Sequence, residues 1–126
     1  MRTVIFLDLD DSIFQTRPKC PPDEPVRPAA FARDGSALSF MTDRQRALLE
    51  MMGRAATVVP TTARNLDAFR RVDLAFDHAA ILDYGAVVLA PGGELDAVWD
   101  AEIRPRLHAF ADELTAAHRD AARFVV

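Results

Sequence analysis

Short apolar stretches alternate with helical patterns along the first part of the chain. Residues 3–9 are mostly apolar and β-branched, which is typical of a strand buried on both faces of a sheet. Residues 56–59 and 79–82 have the same character and predict a second and a third strand. Helical patterns separate them, so the order along the chain predicts the parallel sheet of an α/β fold.

Two helices are predicted between these strands. Thr42 and Gln45 have the spacing of a capping box, and the apolar stripe that follows them stops at Gly53. Asn65 is placed to cap a second, shorter helix before the third strand. Both helices therefore begin at residues whose side chains satisfy free backbone N–H groups.

Prolines and glycines mark the irregular parts of the chain. Residues 18–28 hold five of the eight prolines and predict a long loop or flap over the end of the first strand. Residues 91–93 predict a hairpin turn. Apolar positions from Leu95 onward have helical spacing, and Pro105 is expected to kink or divide that helix. Residues 124–126 look like the beginning of another strand, so we expect the architecture to continue beyond them.

Composition narrows the class of protein. With 126 residues, half of them hydrophobic, the chain fits one small soluble domain or part of a larger one. A net charge of −4 without a basic stripe argues against nucleic acid as a partner. Cys20 is the single cysteine, which excludes an intrachain disulfide, and no apolar run is long enough to span a membrane. We therefore expect a cytoplasmic protein.

The densest group of ionisable residues follows the first predicted strand. Asp8, Asp10 and Asp11 lie within four residues, where like charges repel one another. A cation would offset this repulsion, and carboxylate oxygens favour Mg²⁺ or Ca²⁺. A solvated acidic turn, in which Asp11 or Ser12 caps a helix, is the alternative that the residues leave open.

These residues have the chemistry needed for phosphoryl transfer. A carboxylate such as Asp8 can attack phosphorus when a metal ion neutralises the charge of both partners. Asp10, two residues on in extended chain, lies on the same side and can act as general acid and base. Thr62 follows the second strand and can donate a hydrogen bond to the phosphoryl oxygens. Parallel strands end at one edge of a sheet, so residues 8–12 and 61–64 are expected to converge.

Three segments together resemble the haloacid dehalogenase superfamily. The apolar strand ending in Asp8-Leu9-Asp10-Asp11-Ser12 is similar to its first motif. The run Thr62-Ala63-Arg64 resembles the Thr-Gly-Arg form of the second motif, with alanine in place of glycine. The run Ile81-Leu82-Asp83-Tyr84-Gly85-Ala86 resembles the strand before the cap in the large-cap branch, which includes sucrose-phosphatase-like and Cof-like sugar phosphatases.

The resemblance implies a role for each motif residue. Asp8 would be the nucleophile and a Mg²⁺ ligand, and Asp10 the general acid/base that binds the metal through its backbone carbonyl. Thr62 would bind the transferring phosphoryl group. Arg64 would contact the substrate or the cap, with a surface ion pair as the alternative. The implied activity is Mg²⁺-dependent hydrolysis of a sugar or other small-metabolite phosphate ester through an aspartyl-phosphate.

The resemblance also implies an incomplete architecture. Residues 1–90 would form the N-terminal part of a Rossmann-like core, and residues 91–126 the start of an α/β cap. The third and fourth motifs of the superfamily, a lysine or arginine and further acidic residues, have no counterpart here, and Lys19 does not fit the missing position. Without these motifs the nucleophile lacks its full electrostatic support, which leaves open whether the chain alone is active. The open edge of the first strand predicts that the chain alone is a dimer, is marginally stable or pairs with its missing C-terminal half.

Other functions remain open at this point. A receiver domain would need its phosphate acceptor near Asp83 and a later lysine, and Lys19 is the chain's only lysine. A catalytically incomplete half with a binding or regulatory role fits the absent motifs. A phosphotransferase or mutase would use the same aspartyl-phosphate and differ only in the acceptor. The three histidines have no metal-ligand spacing and are expected to be ordinary surface or core residues.

Overall fold

The structure is a computed structural model that describes residues 2–124. The chain divides between Leu95 and Asp96 into two compact units. The first unit is a mixed α/β arrangement, and the second is helical. The interpretation of these units as a core and the start of a cap stays a prediction.

The first unit contains short strands grouped around two α-helices. In chain order its elements are β1 (Val4–Leu7), β2 (Gln15–Thr16), β3 (Val26–Phe31), β4 (Ala37–Thr42), α1 (Asp43–Ala55), β5 (Thr57–Pro60), α2 (Leu66–Phe69), β6 (Ala80–Leu82) and β7 (Val87–Leu89). Two 3₁₀ helices, Arg17–Lys19 and Asp83–Gly85, lie between them.

The three strands expected from the apolar stretches are present as β1, β5 and β6. β1 and β5 pair in parallel, with Val4 opposite Thr57 and Leu7 opposite Pro60. Beyond β5, a single parallel bridge joins Thr61 to Ile81 in β6. β6 itself pairs antiparallel with β7. The predicted α/β class is therefore confirmed in its coarse form, as a short parallel pair accompanied by antiparallel sheets.

The expectation that the first strand is buried on both faces is wrong. Ile5 and Leu7 are half-buried, and Leu7 packs against the main core. The side chains of Val4 and Phe6, which alternate with them, are 48% and 66% exposed. Successive side chains of a strand point to opposite faces, so the described residues cover only one face of β1.

The proline-rich segment is more regular than its composition predicts. β2, β4 and β3 form an antiparallel sheet in that order, so β3 is an edge strand. Pro28 lies within β3 opposite Phe40, and the register shifts directly after it. The loop prediction is therefore wrong for residues 26–28. Proline is tolerated there because an edge strand does not need every N–H for the ladder.

The main core lies beneath the turn that follows β1. Its buried members come from that turn and from the antiparallel sheet: Leu9, Ile13, Phe14, Ala29, Ala30 and Met41. Leu49 and Met52 of α1 and Phe69 of α2 pack against them. The acidic segment, residues 8–12, is thus anchored by buried apolar side chains of the main core, and their close packing fixes its backbone.

The capping box predicted at the start of α1 is confirmed. The Thr42 hydroxyl accepts from the Gln45 amide at 3.2 Å, and the Gln45 side-chain oxygen accepts from the Thr42 amide at 2.9 Å. The helix ends at Ala55, two residues beyond the expected stop at Gly53. Asn65 caps α2 as predicted, its side chain accepting from the Ala68 amide at 2.9 Å.

The hairpin turn expected at residues 91–93 is also confirmed. The Ala90 amide donates to the Glu94 carbonyl at 2.8 Å, and the Gly93 amide donates to the Ala90 carbonyl at 3.0 Å. Gly92 has a φ of 101°, a left-handed value that glycine adopts without steric cost.

The second unit consists of α3 (Ala97–Ala109) and α4 (Ala111–Ala122). Pro105 lies inside α3 and does not divide it; the break falls at Phe110, whose φ and ψ of −104° and 6° are not helical. This corrects the expected position of the division. Val125 and Val126, part of the predicted final strand, lie outside the described residues. Within residues 2–124, no helix combines the length and apolar character needed to cross a bilayer.

The capping box gives a first testable expectation. Thr42→Ala removes the side-chain acceptor at the start of α1 and should lower the free energy of unfolding by about 1 kcal/mol. Thr16→Ala is the matched control, because Thr16 precedes the 3₁₀ helix Arg17–Lys19 without a side-chain cap bond. Urea denaturation of both variants measures the difference. Equal losses for the two would contradict a stabilising role for the cap.

Candidate active site

Backbone hydrogen bonds gather three strand ends at one edge of the first unit. The Thr61 amide donates to the Leu7 carbonyl at 2.8 Å, and the Thr62 amide donates to Ile81 at 2.9 Å. The Asp83 amide in turn donates to the Arg64 carbonyl at 2.9 Å. The segments after β1, β5 and β6 therefore lie side by side, as the sequence predicts for residues 8–12 and 61–64.

The acidic segment is a tight turn built on buried side chains. The Leu9 carbonyl accepts from the amides of Ser12, Ile13 and Phe14 at 3.2, 2.9 and 3.3 Å. Asp11 completes the turn with a φ of 61°, and its amide donates to the Phe14 carbonyl at 2.8 Å. Aspartate is among the few residues other than glycine that adopt this left-handed conformation readily.

Asp8 and Asp10 flank a buried residue in this turn. Leu9 between them is fully buried, whereas both aspartates are exposed. The Ser12 hydroxyl donates to Asp8 Oδ2 at 3.0 Å, which orients that carboxylate. Asp8 is thus an accessible carboxylate that is oriented by Ser12 directly after the end of β1.

Asp10 is held by a two-pronged ion pair with Arg64. Arg64 Nε donates to Asp10 Oδ2 and Arg64 Nη2 to Asp10 Oδ1, both at 2.7 Å. This fork geometry is the strong form of the arginine–carboxylate interaction. It joins the turn after β1 to the segment after β5, across 54 positions of sequence.

The Arg64 guanidinium is itself enclosed. Its carbon lies 5.2 Å from the centre of the Phe14 ring, and Nη1 donates to the Ala68 carbonyl at 3.4 Å. The Arg64 side chain is only 12% exposed, compared with 50% for Asp10. The sequence left a substrate contact and a surface ion pair open for Arg64. The structure shows an ion pair, but one in which the arginine is largely buried.

Phe14 is the residue at this site that the sequence did not identify. It is fully buried, and in the sequence it cannot be distinguished from an ordinary core residue. Its contact with Arg64 depends on the tertiary fold, since the two residues are 50 positions apart in the sequence. The interaction is a cation–π contact. Because its two residues are distant in sequence, no local pattern predicts it.

Thr62, the residue predicted to bind the phosphoryl group, lies two residues after the end of β5. It is 5% exposed, and its hydroxyl oxygen accepts from the Arg64 amide at 3.1 Å. A hydroxyl that accepts one bond keeps its own hydrogen for donation. The neighbouring Thr61 hydroxyl instead donates to the Val59 carbonyl at 3.3 Å. Of the two threonines, Thr62 is therefore the better placed to donate to a bound anion.

Two further charged residues border the turn. Lys19 pairs with Asp11, and both side chains are more than half exposed. Asp83 and Tyr84, after β6, have φ values of 50° and 54°, conformations that L-residues rarely adopt. Lys19 therefore offsets the charge of Asp11, and the backbone amide of Asp83 joins the segment after β6 to Arg64.

The oxygen atoms of the turn suit a hard divalent cation. Arg64 engages both carboxylate oxygens of Asp10, which leaves the Asp8 carboxylate and the Asp10 backbone carbonyl as the natural ligands. Mg²⁺ commonly takes only one or two protein oxygens and completes its shell with water and substrate phosphate. Across residues 2–124, His, Cys, Asp and Glu form no group of three placed to hold a metal ion. The Asp8 carboxylate and the Asp10 carbonyl are therefore the oxygens of the turn that could hold a cation, and by themselves they are only a partial set of ligands.

Neither a scan against protein-family models nor a search of the curated proteins finds a match to this chain.

The Asp10–Arg64 pair gives a second testable expectation. A double-mutant cycle of Asp10→Asn and Arg64→Gln, measured by urea denaturation, should give a coupling energy of about 1 to 2 kcal/mol. The exposed Arg27–Asp43 pair, with a single contact at 3.2 Å, is the matched control. Its cycle should give no more than about 0.5 kcal/mol. A coupling at Asp10–Arg64 as small as the control would contradict the enclosed fork.

Proposed function

We propose that this chain carries the nucleophile and the general acid/base of a Mg²⁺-dependent phosphate monoester hydrolase. The observation that carries the proposal is the pair of exposed carboxylates, Asp8 and Asp10, on a tightly hydrogen-bonded turn at a strand end. Thr62 lies on the neighbouring strand end, with a hydroxyl hydrogen available to an anion. The motif resemblance to haloacid dehalogenase-type phosphatases supports the same assignment.

The first half of the reaction transfers the phosphoryl group to Asp8. A carboxylate oxygen of Asp8 attacks phosphorus, and the bond from phosphorus to the alcohol oxygen breaks. Asp10 in its protonated form gives its proton to the departing alkoxide, which leaves as the alcohol. Thr62 donates a hydrogen bond to a phosphoryl oxygen throughout the step.

The second half returns the chain to its starting state. Asp10, now a carboxylate, removes a proton from water as the water oxygen attacks phosphorus. The bond between phosphorus and Asp8 breaks, releasing inorganic phosphate and restoring the Asp8 carboxylate. In sum, one ester and one water give one alcohol and one phosphate, and Asp10 regains its proton.

Asp8 and the backbone carbonyl of Asp10 are the residues that would hold Mg²⁺. When bound, the ion offsets the negative charges of the nucleophile and the phosphoryl group. The remaining repulsion between neighbouring carboxylates is reduced by Arg64 on Asp10 and Lys19 on Asp11. The negative charge of each aspartate in the turn would thus be offset by a different cation: Mg²⁺ at Asp8, Arg64 at Asp10 and Lys19 at Asp11.

We further propose that the first unit is the N-terminal part of a Rossmann-like core. The parallel pairing of β1 with β5, extended by the bridge from Thr61 to Ile81, supports this proposal. The helical second unit would then begin a cap, and the substrate would be a sugar or other small-metabolite phosphate. A transferase or mutase would use the same two aspartates and differ in its acceptor.

A second candidate function is favoured by one observation, the exposed apolar side chains of β1. Val4 and Phe6 leave one face of this strand largely uncovered by the described residues. Such an uncovered apolar face is suited to packing against a further segment or another chain. On this reading the chain is a catalytically incomplete half that binds or regulates, and activity requires the complementing part.

The proposal is tested by replacing the nucleophile. Asp8→Asn should lower Mg²⁺-dependent phosphate release by at least about 10³-fold, because the amide does not attack phosphorus. The matched control is Asp11→Asn, which makes the same chemical change three residues on. Asparagine also tolerates the φ of 61° found at position 11. Phosphate release and circular dichroism are measured for both.

The control fixes the interpretation of the result. Asp11→Asn should keep activity within about threefold, since within residues 2–124 the Asp11 side chain pairs with the exposed Lys19 side chain alone. Full activity of Asp8→Asn would show that another group is the nucleophile. Absence of Mg²⁺-dependent release from the unaltered chain would favour the second candidate, an incomplete half.

A further inference from the structure

We infer that Arg64 is a positioning residue: it holds the Asp10 carboxyl group in the orientation in which that group transfers its proton. This inference rests on the proposed function and deepens it. It replaces a role for Arg64 in binding the substrate phosphate, and it includes Phe14, which supports the guanidinium from below.

The fork leaves Asp10 little rotational freedom. Two parallel bonds of 2.7 Å, one to each carboxylate oxygen, define the plane of the carboxylate as well as its position. A single ammonium would act as a point charge and would not define that plane. Arg64 is therefore suited to orienting Asp10, beyond compensating its charge.

The guanidinium is fixed by contacts on its other sides. The Phe14 ring lies against it, and the Ala68 carbonyl accepts from Nη1 at 3.4 Å. The Arg64 amide also donates to the Thr62 hydroxyl at 3.1 Å. With its side chain 12% exposed, Arg64 is part of the interior framework and has little surface to offer a substrate.

Arginine also determines where the acidic proton of Asp10 points. A guanidinium has five donors and no acceptor, so a proton on Asp10 has no partner on the Arg64 side. It must therefore point away from Arg64, and the Asp10 side chain is 50% exposed. Asp8, two residues earlier, is exposed as well. The proton is thus directed away from Arg64, toward accessible space.

The test separates positioning from binding by the leaving group of the substrate. Proton donation matters for glycerol phosphate, whose alkoxide is a poor leaving group, and much less for p-nitrophenyl phosphate. Arg64→Lys should lower kcat for glycerol phosphate by about 10²-fold, while kcat for p-nitrophenyl phosphate falls by less than about threefold. KM for both should stay within about threefold.

A double variant and a control complete the design. Asp10→Asn with Arg64→Lys should lose no more activity on glycerol phosphate than Asp10→Asn alone, because both changes remove the same proton transfer. The matched control is Arg71→Lys, since Arg71 also makes several bonds, to the Asp67 carboxylate at 2.6 Å and the Phe31 carbonyl at 3.1 Å. It should leave both substrates unaffected. Arg64→Gln is the second variant, to be used if Arg64→Lys does not fold by circular dichroism.

Each outcome has a distinct meaning. A tenfold or greater rise in KM with kcat unchanged would show that Arg64 binds the substrate, and would overturn the inference while leaving the phosphatase intact. An equal fall in kcat for both substrates would overturn it as well, since the loss would not depend on proton donation. No turnover of either substrate by the unaltered chain would overturn the proposed function, and the inference with it.

Discussion

The Thr61 amide bonds to the Leu7 carbonyl directly beyond the last paired residues of β1 and β5, and the geometry of the site depends on this in-register parallel pairing. A slip of one residue would turn the side chains of the following segment to the other face of the sheet. The bond from Thr62 to Ile81 then aligns the third segment on the second. Three short strands thereby bring chemistry-bearing residues from distant parts of the chain to a common edge.

The elements with local causes could be predicted from sequence. The cap at Thr42, the cap at Asn65 and the turn at residues 91–93 each depend on side chains or glycines within a few positions of one another. The position of the acidic turn could also be predicted, because it follows an apolar strand directly. These features need no knowledge of what packs against them.

The features that sequence did not reveal depend on tertiary context. Pro28 is compatible with β3 only because that strand lies at the edge of its sheet, and a proline count carries no information on strand order. The exposure of Val4 and Phe6 depends on what lies over β1, which periodicity does not report. The fork between Asp10 and Arg64 joins two loops through side-chain rotamers, and it is invisible to any local pattern.

Gln45 shows how an element of helix capping reaches the candidate site. Besides its place in the capping box, its side-chain amide donates to the Ser12 carbonyl at 3.2 Å and to the Gln15 side chain at 2.6 Å. Capping boxes accept glutamate and glutamine alike, because only an oxygen is required. At this position the two are no longer equivalent, since a carboxylate has no hydrogen to offer Ser12. Fewer residue types are therefore compatible with position 45 than with the same position of an ordinary helix, because its side chain also bonds the turn that carries Asp8 and Asp10.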